Sequence, residues 1–353
     1  MTTFNSELQQ IYKIAGKYKK YDKTKYWISL ISTAIFGWGS FYALLSSETV
    51  FLKLLFFTLS TIFLYKGTVF THELVHLDEK QLPGFRSAWT ILFGIPLLAP
   101  HFLYRELHLA HHSKNKYNTE KDIEYSIFWG DKNQMITYYF KNLAIPFMST
   151  WRFSVLPLTI FLGGNIRKMI RLKASSMGIK FIFTREEVKN SKEKKRWLAE
   201  ELSCFLYCWG IIYLIATTSL TPSLWITWAA VLFGVLTLNT YRFLSATHLY
   251  QHTGEEIDFE THVLDSVNIK QRGIIAHIIA PIGQTCHGLH HIVPFVPGLE
   301  LESLHQELIR SLEEKHFYHK INYRDFSTVY RQIMNGKKDQ IDERKEDLSI
   351  QAG

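Results

Sequence analysis

Cysteine is scarce in this chain: its 353 residues include only Cys204, Cys208 and Cys286, and their spacing is not that of a disulfide framework. A disulfide-stabilised scaffold is therefore excluded. Charged residues are also few, at 20% of the chain, while hydrophobic residues make up 47% and aromatic residues 15%. So much apolar surface excludes disorder over most of the length. The position of the apolar residues therefore decides the class of protein.

Four long segments carry no charged residue, or carry charged residues only near their ends. A bilayer core about 30 Å thick requires roughly 20 helical residues to cross, and each segment is near that length. The segments are residues 26–47, 50–70, 202–220 and 223–241. In the second, Lys53 and Lys66 lie near the ends, where long side chains can reach the interface. A soluble core could bury one such helix but not four. The sequence therefore predicts an all-α polytopic membrane bundle with four transmembrane helices.

Two further apolar segments are not expected to cross. Residues 87–104 are interrupted by Gly94, Pro96 and Pro100, and residues 142–164 carry Arg152 between two prolines. Such interrupted segments are typical of re-entrant or interface-lying structure. The turn between the last two spans, at Thr221 and Pro222, is too short for anything but a tight hairpin.

Basic residues flank the spans on one side only. Six lysines precede the first span, and a basic stretch between residues 167 and 196 precedes the third. The turns on the opposite side, at residues 47–50 and 221–222, carry almost no positive charge. The positive-inside rule therefore places both termini and the large loop in the cytosol. This distribution also explains the net charge of +8 without a nucleic-acid partner.

The distribution of polar and apolar residues divides the chain into three parts. Residues 1–25 form a cytosolic N-terminal segment and not a cleavable signal, because they are polar and the apolar run after them is long enough to anchor. Residues 26–330 form the membrane catalytic domain. Residues 331–353 form a polar C-terminal tail.

Histidine, a common metal ligand, is unusually abundant, with 16 copies. The first cluster is the HxxxH motif of His72 and His76. The others are HxxHH motifs, and they comprise His108, His111 and His112, and then His287, His290 and His291. Residues three or four apart share one face of a helix, so His108 could pair with either His111 or His112. Neutral imidazoles bind iron, copper, zinc or nickel, and eight of them suit two ions better than one.

The membrane topology supports one shared site. With four crossings, the three clusters emerge on the cytosolic side, as do His248 and His252 after the fourth span. Counting either interrupted segment as a crossing would separate them. The chain is therefore expected to carry a cytosolic, histidine-rich cap on the bundle.

At these residues the chain resembles the membrane fatty acid desaturase family, whose members carry HxxxH, HxxHH and a late HxxHH in this order. The flanks are similar as well: Arg105 precedes the second motif, NTEKDIEY (118–125) follows it, and APIGQTCHGLHHIVPFVPG (280–298) contains the third. The resemblance covers roughly residues 30–325. Acyl-CoA desaturases also have an asparagine four residues before the histidine that follows the last span, whereas Leu244 stands here.

The resemblance implies two ferrous ions and nine ligands. The ligands are His72, His76, His108, His111, His112, His248, His287, His290 and His291, with His252 as the second choice for the ligand after the fourth span. Glu73 and Asp265 would not bind the ions themselves but would orient the ligand side chains. The enzyme would use O2 and two external electrons to desaturate a fatty acyl chain, supplied as a lipid or a thioester. No fused haem-binding HPGG motif is present, so the donor would be a separate ferredoxin or cytochrome b5.

Two alternatives remain open. Hydroxylases and ketolases of lipids share these motifs, because desaturation and hydroxylation differ only by small shifts in geometry. The other alternative is a zinc intramembrane metalloprotease, since residues 72–76 also read HExxH. Glu73 would then be the general base and Asp265 a third ligand. That interpretation leaves both HxxHH motifs without a role.

Overall fold

The computed structural model describes residues 3–119, 121–122, 124–126, 128–161, 164–165, 190–217, 223–252, 254 and 256–336. The predicted turn at Thr221 and Pro222 lies outside these residues. So do most of the basic stretch after residue 166 and the tail from residue 337 onwards.

The first half of the described chain is helical. Its helices are α1 (Thr3–Ala15), α2 (Lys23–Ser46), α3 (Val50–His76), α4 (Phe85–Trp89), α5 (His101–His111) and α6 (Lys132–Val155). A π-helical turn (Thr90–Gly94) continues α4, and short 3₁₀ turns follow α1 (Gly16–Tyr18) and α6 (Leu156–Phe161).

The second half begins with two long helices and ends in short elements. The helices are α7 (Ser191–Thr217), α8 (Ser223–Ala246), α9 (Phe259–Asp265), α10 (Ile274–Ile279), α11 (His287–Ile292), α12 (Gly298–Ser311) and α13 (Phe326–Asn335). Two 3₁₀ turns (Gln284–Cys286 and Phe317–Ile321) lie between them. The two-residue strands β1 (Asn268–Ile269) and β2 (Asn322–Tyr323) pair in parallel.

Four helices of the described chain are long and apolar enough to cross a membrane, and they are α2, α3, α7 and α8. The all-α prediction with four spans is therefore confirmed. Large apolar side chains such as Ile28, Phe51 and Leu54 are more than 60% exposed, as expected where a helix faces lipid. The interrupted segments, which form α4, α5 and α6, are not among the four.

The second span is longer than its apolar run. The α3 helix continues without interruption through His72 to His76, so the first histidine motif is the last turn of a membrane helix. At Gly67 an added Cβ would lie 2.0 Å from the ring of Phe93, and the Gly67 carbonyl accepts a hydrogen bond from Trp89. This close packing of α4 and its π-helical turn on α3 fixes the direction in which the chain enters α5.

Ion pairs tie α7 to the interrupted segment. The guanidinium of Arg86 on α4 lies 3.3 Å from Glu193 and 3.6 Å from Glu200, both on α7. Glu200 also accepts a hydrogen bond from the backbone N–H of Phe102, in the first turn of α5. Such capping satisfies one of the free N–H groups at a helix start. It positions α5, which carries the second histidine motif.

Candidate metal centre

The structure brings eight histidines together as two groups of four. Group one contains His76, His108, His112 and His290, and group two contains His111, His248, His287 and His291. Within each group, one ligand atom of every residue lies within 4.8 Å of the others. Each HxxHH motif contributes to both groups, so the groups interleave in the sequence.

Helical geometry explains this division. Residues four apart lie about one turn above each other, whereas neighbours point about 100° apart. His108 and His112 therefore enter group one together, and His111 is directed to group two. In the third motif His287 and His291 enter group two, and His290 enters group one. This resolves the pairing that the spacing alone left open.

The nitrogen atoms within each group are close enough to share an ion. In group one, Nε2 of His108 lies 3.1 Å from that of His76 and 3.0 Å from that of His112. In group two, Nε2 of His111 lies 3.0 Å from that of His248. Donors at right angles around an ion with bonds of about 2.1 Å lie about 3.0 Å apart. The donor sets therefore fit one transition-metal ion in each group.

Carboxylates outside the two groups orient two of the rings. The Nδ1–H of His111 donates to Asp122 Oδ2 over 2.8 Å, which leaves Nε2 available for an ion. Nδ1 of His108 lies 3.2 Å from Glu124 and 3.0 Å from the Tyr104 hydroxyl. Such outer partners fix the tautomer of a ligating histidine. The sequence pattern pointed to the 118–125 stretch but did not assign Asp122 or Glu124 this role.

Burial makes most of these rings neutral. It lowers the pKa of six of them well below the ordinary value, and these are His108, His112, His248, His287, His290 and His291. Burial alone would also lower the pKa of His111, but the Asp122 carboxylate raises it above its ordinary value. Neutral imidazole is the form that binds metal. Asp122 at the same time stabilises positive charge beside group two.

His72 differs from the eight grouped histidines. Its ring centre lies 4.3 Å from those of His108 and His290, so it borders group one. Gln284 donates a hydrogen bond to its Nδ1 over 3.1 Å, and its buried Nε2 has no partner among the described residues. The neutral ring then carries its proton on Nε2, and this proton would have to leave before an ion binds there. His72 stays a predicted ligand.

The remaining predicted residues lie around the groups. His252 is in neither group of the described chain. Asp265 accepts hydrogen bonds from the Tyr125 hydroxyl and the backbone N–H of Tyr250, and its Oδ2 lies 3.8 Å from Nδ1 of His248. Asp265 therefore holds the turn that carries His248. Glu73 accepts a hydrogen bond from the backbone N–H of Gly298 over 2.9 Å.

Glycine is required where the third motif meets α3. Gly283 has a φ of +72°, and a Cβ there would lie 2.0 Å from the Gly298 carbonyl. At Gly298 an added Cβ would lie 2.5 Å from Glu73 Oε2. These contacts join both ends of the third motif to the last turns of α3, which brings His290 near His76.

His262 contacts a histidine of group two, and the sequence pattern did not indicate this residue. It lies on α9, is 1% exposed, and its Nε2 is 3.0 Å from Nδ1 of His291. Its own Nδ1 lies 3.4 Å from the side-chain oxygen of Asn118. A lone histidine gives no spacing signal, so the sequence could not have indicated it. With Nε2 of His291 directed at group two, His262 accepts the other ring proton of His291.

Replacing His262 with phenylalanine is expected to weaken metal binding in group two by about 10- to 100-fold, because an outer partner of a ligand is lost while the ring volume is kept. Metal titration of the purified apoprotein would measure the affinity. His262→Gln, which keeps an acceptor, should restore most of it. Phenylalanine at the exposed His277 is the matched control. Equal affinities in wild type and His262→Phe would contradict this role.

Replacing Glu73 with glutamine is expected to leave metal content and turnover within about threefold of wild type, because an amide oxygen still accepts from Gly298. Glu73→Leu should instead leave that N–H buried and unpaired, at a cost of about 1–3 kcal/mol. Turnover and thermal unfolding would measure the two effects. A loss of nearly all activity in Glu73→Gln, with folding intact, is the result that the zinc protease alternative requires.

A cavity of about 290 Å³ lies next to His72, whose ring borders group one. It opens between α3, α5, α6 and α8, and His72, Tyr104 and Glu124 line its metal end. Burial raises the pKa of Glu124 to about 7. Much of the remaining wall is apolar, with Val69, Leu98, Leu103, Ile145, Leu232 and Leu236. An apolar cavity between membrane helices is suited to a lipid chain.

Comparison with known proteins agrees with this geometry. Residues 48–322 match the model of the fatty acid desaturase family, and the chain belongs to this family. It is an integral membrane oxidoreductase that acts on lipids. The chain is also similar to a ceramide hydroxylase of Caulobacter vibrioides (strain NA1000 / CB15N). The two are 30% identical over 298 residues, which is 84% of each chain.

Proposed function

We propose that this protein is a di-iron oxidase that hydroxylates a ceramide-type lipid. The observation that carries the proposal is the pair of four-histidine groups, together with the cavity between α3, α5, α6 and α8 that borders them at His72. The similarity to a ceramide hydroxylase supports hydroxylation over the desaturation expected from the sequence. Desaturation of the same lipid is the second candidate, supported by the family match.

Bound iron would supply the activation of O2 with external electrons and the oxidation of an unactivated C–H bond. The residues of the chain do the rest. Group one and group two would hold the two ions, and Asp122 and His262 fix the rings of His111 and His291. The cavity wall holds the lipid so that one carbon lies beside the ions, and its apolar side chains exclude water.

The partners follow from this chemistry. Two electrons have to come from a separate donor, and we propose a ferredoxin or a cytochrome b5. We also propose that the histidine groups and both termini face the cytosol, where such donors are found. The basic residues that flank α2 support this orientation.

The test is the product. The protein would be produced in a bacterial host that makes no sphingolipids, supplied with a saturated ceramide, and the lipids analysed by mass spectrometry under ¹⁸O₂. We expect a ceramide with one added oxygen atom derived from O2, and none with His290→Ala. Loss of two hydrogens without added oxygen would establish the desaturase instead. An unchanged ceramide beside an oxidised phospholipid would overturn the substrate class.

A further inference from the structure

One wall of the cavity is polar, whereas much of the remaining wall is apolar. We call Asn142 on α6 with Asn239, Thr240 and Arg242 on α8 the polar strip; all four line the cavity. A plain hydrocarbon chain needs no hydrogen-bonding groups, and buried polar groups are costly unless they find partners. A polar wall here requires an explanation from the ligand.

We propose that the polar strip binds the amide and hydroxyl groups of the lipid substrate inside the cavity. The ligand is thus an uncharged polar lipid, held by its backbone and not only by its alkyl chains. This inference rests on the proposed function, because it names the part of the ceramide-type substrate that the cavity recognises.

The hydrogen bonds of the strip leave capacity for such a ligand. The Asn142 amide nitrogen donates to the Thr240 hydroxyl over 2.9 Å, and both side chains are at least 95% buried. This is the only hydrogen bond of the Asn142 side chain in the described part of the chain, so its oxygen has no partner there. An amide can take part in four hydrogen bonds. The Asn142 oxygen can accept an amide N–H or a hydroxyl from the lipid.

Arg242 connects the strip to the metal end. Its guanidinium donates to Asn239 over 3.0 Å and to the side-chain oxygen of Gln284 over 2.7 Å, and Gln284 in turn donates to His72. Only one side chain therefore separates the strip from a ring that borders group one. A lipid anchored here presents to the ions the carbons next to its polar groups. The carbons near its methyl ends lie elsewhere.

Charge in the cavity argues for a neutral ligand. Arg242 and Lys141 bring basic groups to the cavity, and the Glu124 carboxyl group lies on the same cavity. The two amides of the strip are neutral, and the Arg242 guanidinium already bonds two neutral oxygens. An uncharged amide matches this set without bringing a further anion next to Glu124.

The test measures binding separately from turnover. Tritiated saturated ceramide, the free fatty acid of the same acyl length and an alkane of that length would be bound to the iron-loaded protein in mixed micelles. The variants are Asn142→Leu and Thr240→Val. Thr237→Val is the matched control, because Thr237 lies on the same helix, bonds the Phe233 carbonyl and does not line the cavity.

We expect wild type and Thr237→Val to bind ceramide at least about tenfold more tightly than the alkane. Each strip variant should reduce the ratio of ceramide affinity to alkane affinity by about three- to tenfold, as expected for one lost hydrogen bond. Iron content should stay unchanged. An unchanged ratio in both variants, or tighter binding of the fatty acid than of ceramide, would overturn the proposal.

The position of the new hydroxyl group in the product is a second, independent readout, and it is measured on the wild-type protein alone. Fragment-ion analysis of the hydroxylated ceramide should place the new hydroxyl within a few carbons of the amide or hydroxyl groups, and a hydroxyl near a methyl end would overturn the proposal. Ceramide selectivity without hydroxylation would remove the proposed function and leave the binding role. Hydroxylation of ceramide with an unchanged ratio of ceramide to alkane affinity in both strip variants would support the proposed function and overturn the binding role of the polar strip.

Discussion

Replacing His290 with alanine is expected to abolish turnover and to lower the metal content from about two ions per chain to about one. His290 is the member of group one contributed by the third motif, and its Nε2 lies 3.1 Å from that of His112. Loss of an outer partner already costs about 10- to 100-fold in metal affinity, so loss of a direct ligand costs more. Group two keeps its four histidines.

The measurement is elemental analysis of the detergent-purified protein after reconstitution with ferrous iron, together with turnover of the lipid substrate. The matched control is His277→Ala, since His277 is exposed on α10 and contacts neither group. It should keep about two ions. His248→Ala should mirror His290→Ala by emptying group two. Two ions retained in both ligand variants would mean that the groups are not the metal site.

The sequence predicted the apolar helices well because each span is specified locally. Length and absence of charge decide whether a helix can cross, and both can be counted along the chain. The ends of the helices were less predictable. The α3 helix runs on to His76, beyond the apolar run, and it packs at Gly67 against Phe93 and Trp89, which are distant in sequence.

The candidate site was predictable in its membership and not in its arrangement. The motif spacing identified seven of the eight grouped histidines directly, and the resemblance supplied the eighth, His248. Which ring joins which group depends on how α3, α5 and α11 cross, and spacing does not encode that. His262 and Asp122 were missed as contacts for the same reason, since each reaches its histidine from another segment.

The polar lining of the cavity could not be predicted from the sequence. Asn142 lies in a segment that the sequence marks only as interrupted, and Thr240 lies at the end of a span that the sequence marks only as uncharged. Their contact across 98 positions exists because α6 packs on α8. A polar residue in a membrane helix is costly, so its presence indicates a role, but the sequence does not show its partner.

Replacing Asp122 with alanine is expected to have the largest effect of any change outside the ligands. Asp122 is fully buried and accepts four hydrogen bonds, from His111 Nδ1 and from the backbone N–H groups of Asn118, Glu124 and Tyr125. Alanine leaves these donors buried without partners, at about 1–3 kcal/mol each. The loop carrying Glu124 should then lose its fold, and metal should be lost from group two.

Asp122→Asn separates the two roles of this side chain. The amide oxygen can still accept the backbone N–H groups of Glu124 and Tyr125, which bond Oδ1, so most of the loop should fold. The backbone N–H of Asn118, which bonds Oδ2, loses its acceptor. The amide nitrogen, however, faces His111 as a donor and removes the acceptor that fixes its tautomer. We therefore expect a smaller loss of thermal stability than in Asp122→Ala, because one backbone N–H and not three loses its acceptor. The metal affinity of group two should fall by about 10- to 100-fold. Metal titration and thermal unfolding of both variants would measure this, with Asp131→Asn, on a partly exposed carboxylate at the start of α6, as the control. Full metal affinity in Asp122→Asn would show that Asp122 supports the loop but does not orient the ring of His111. The orientation of His111 would then have to come from its packing against His248 and His291.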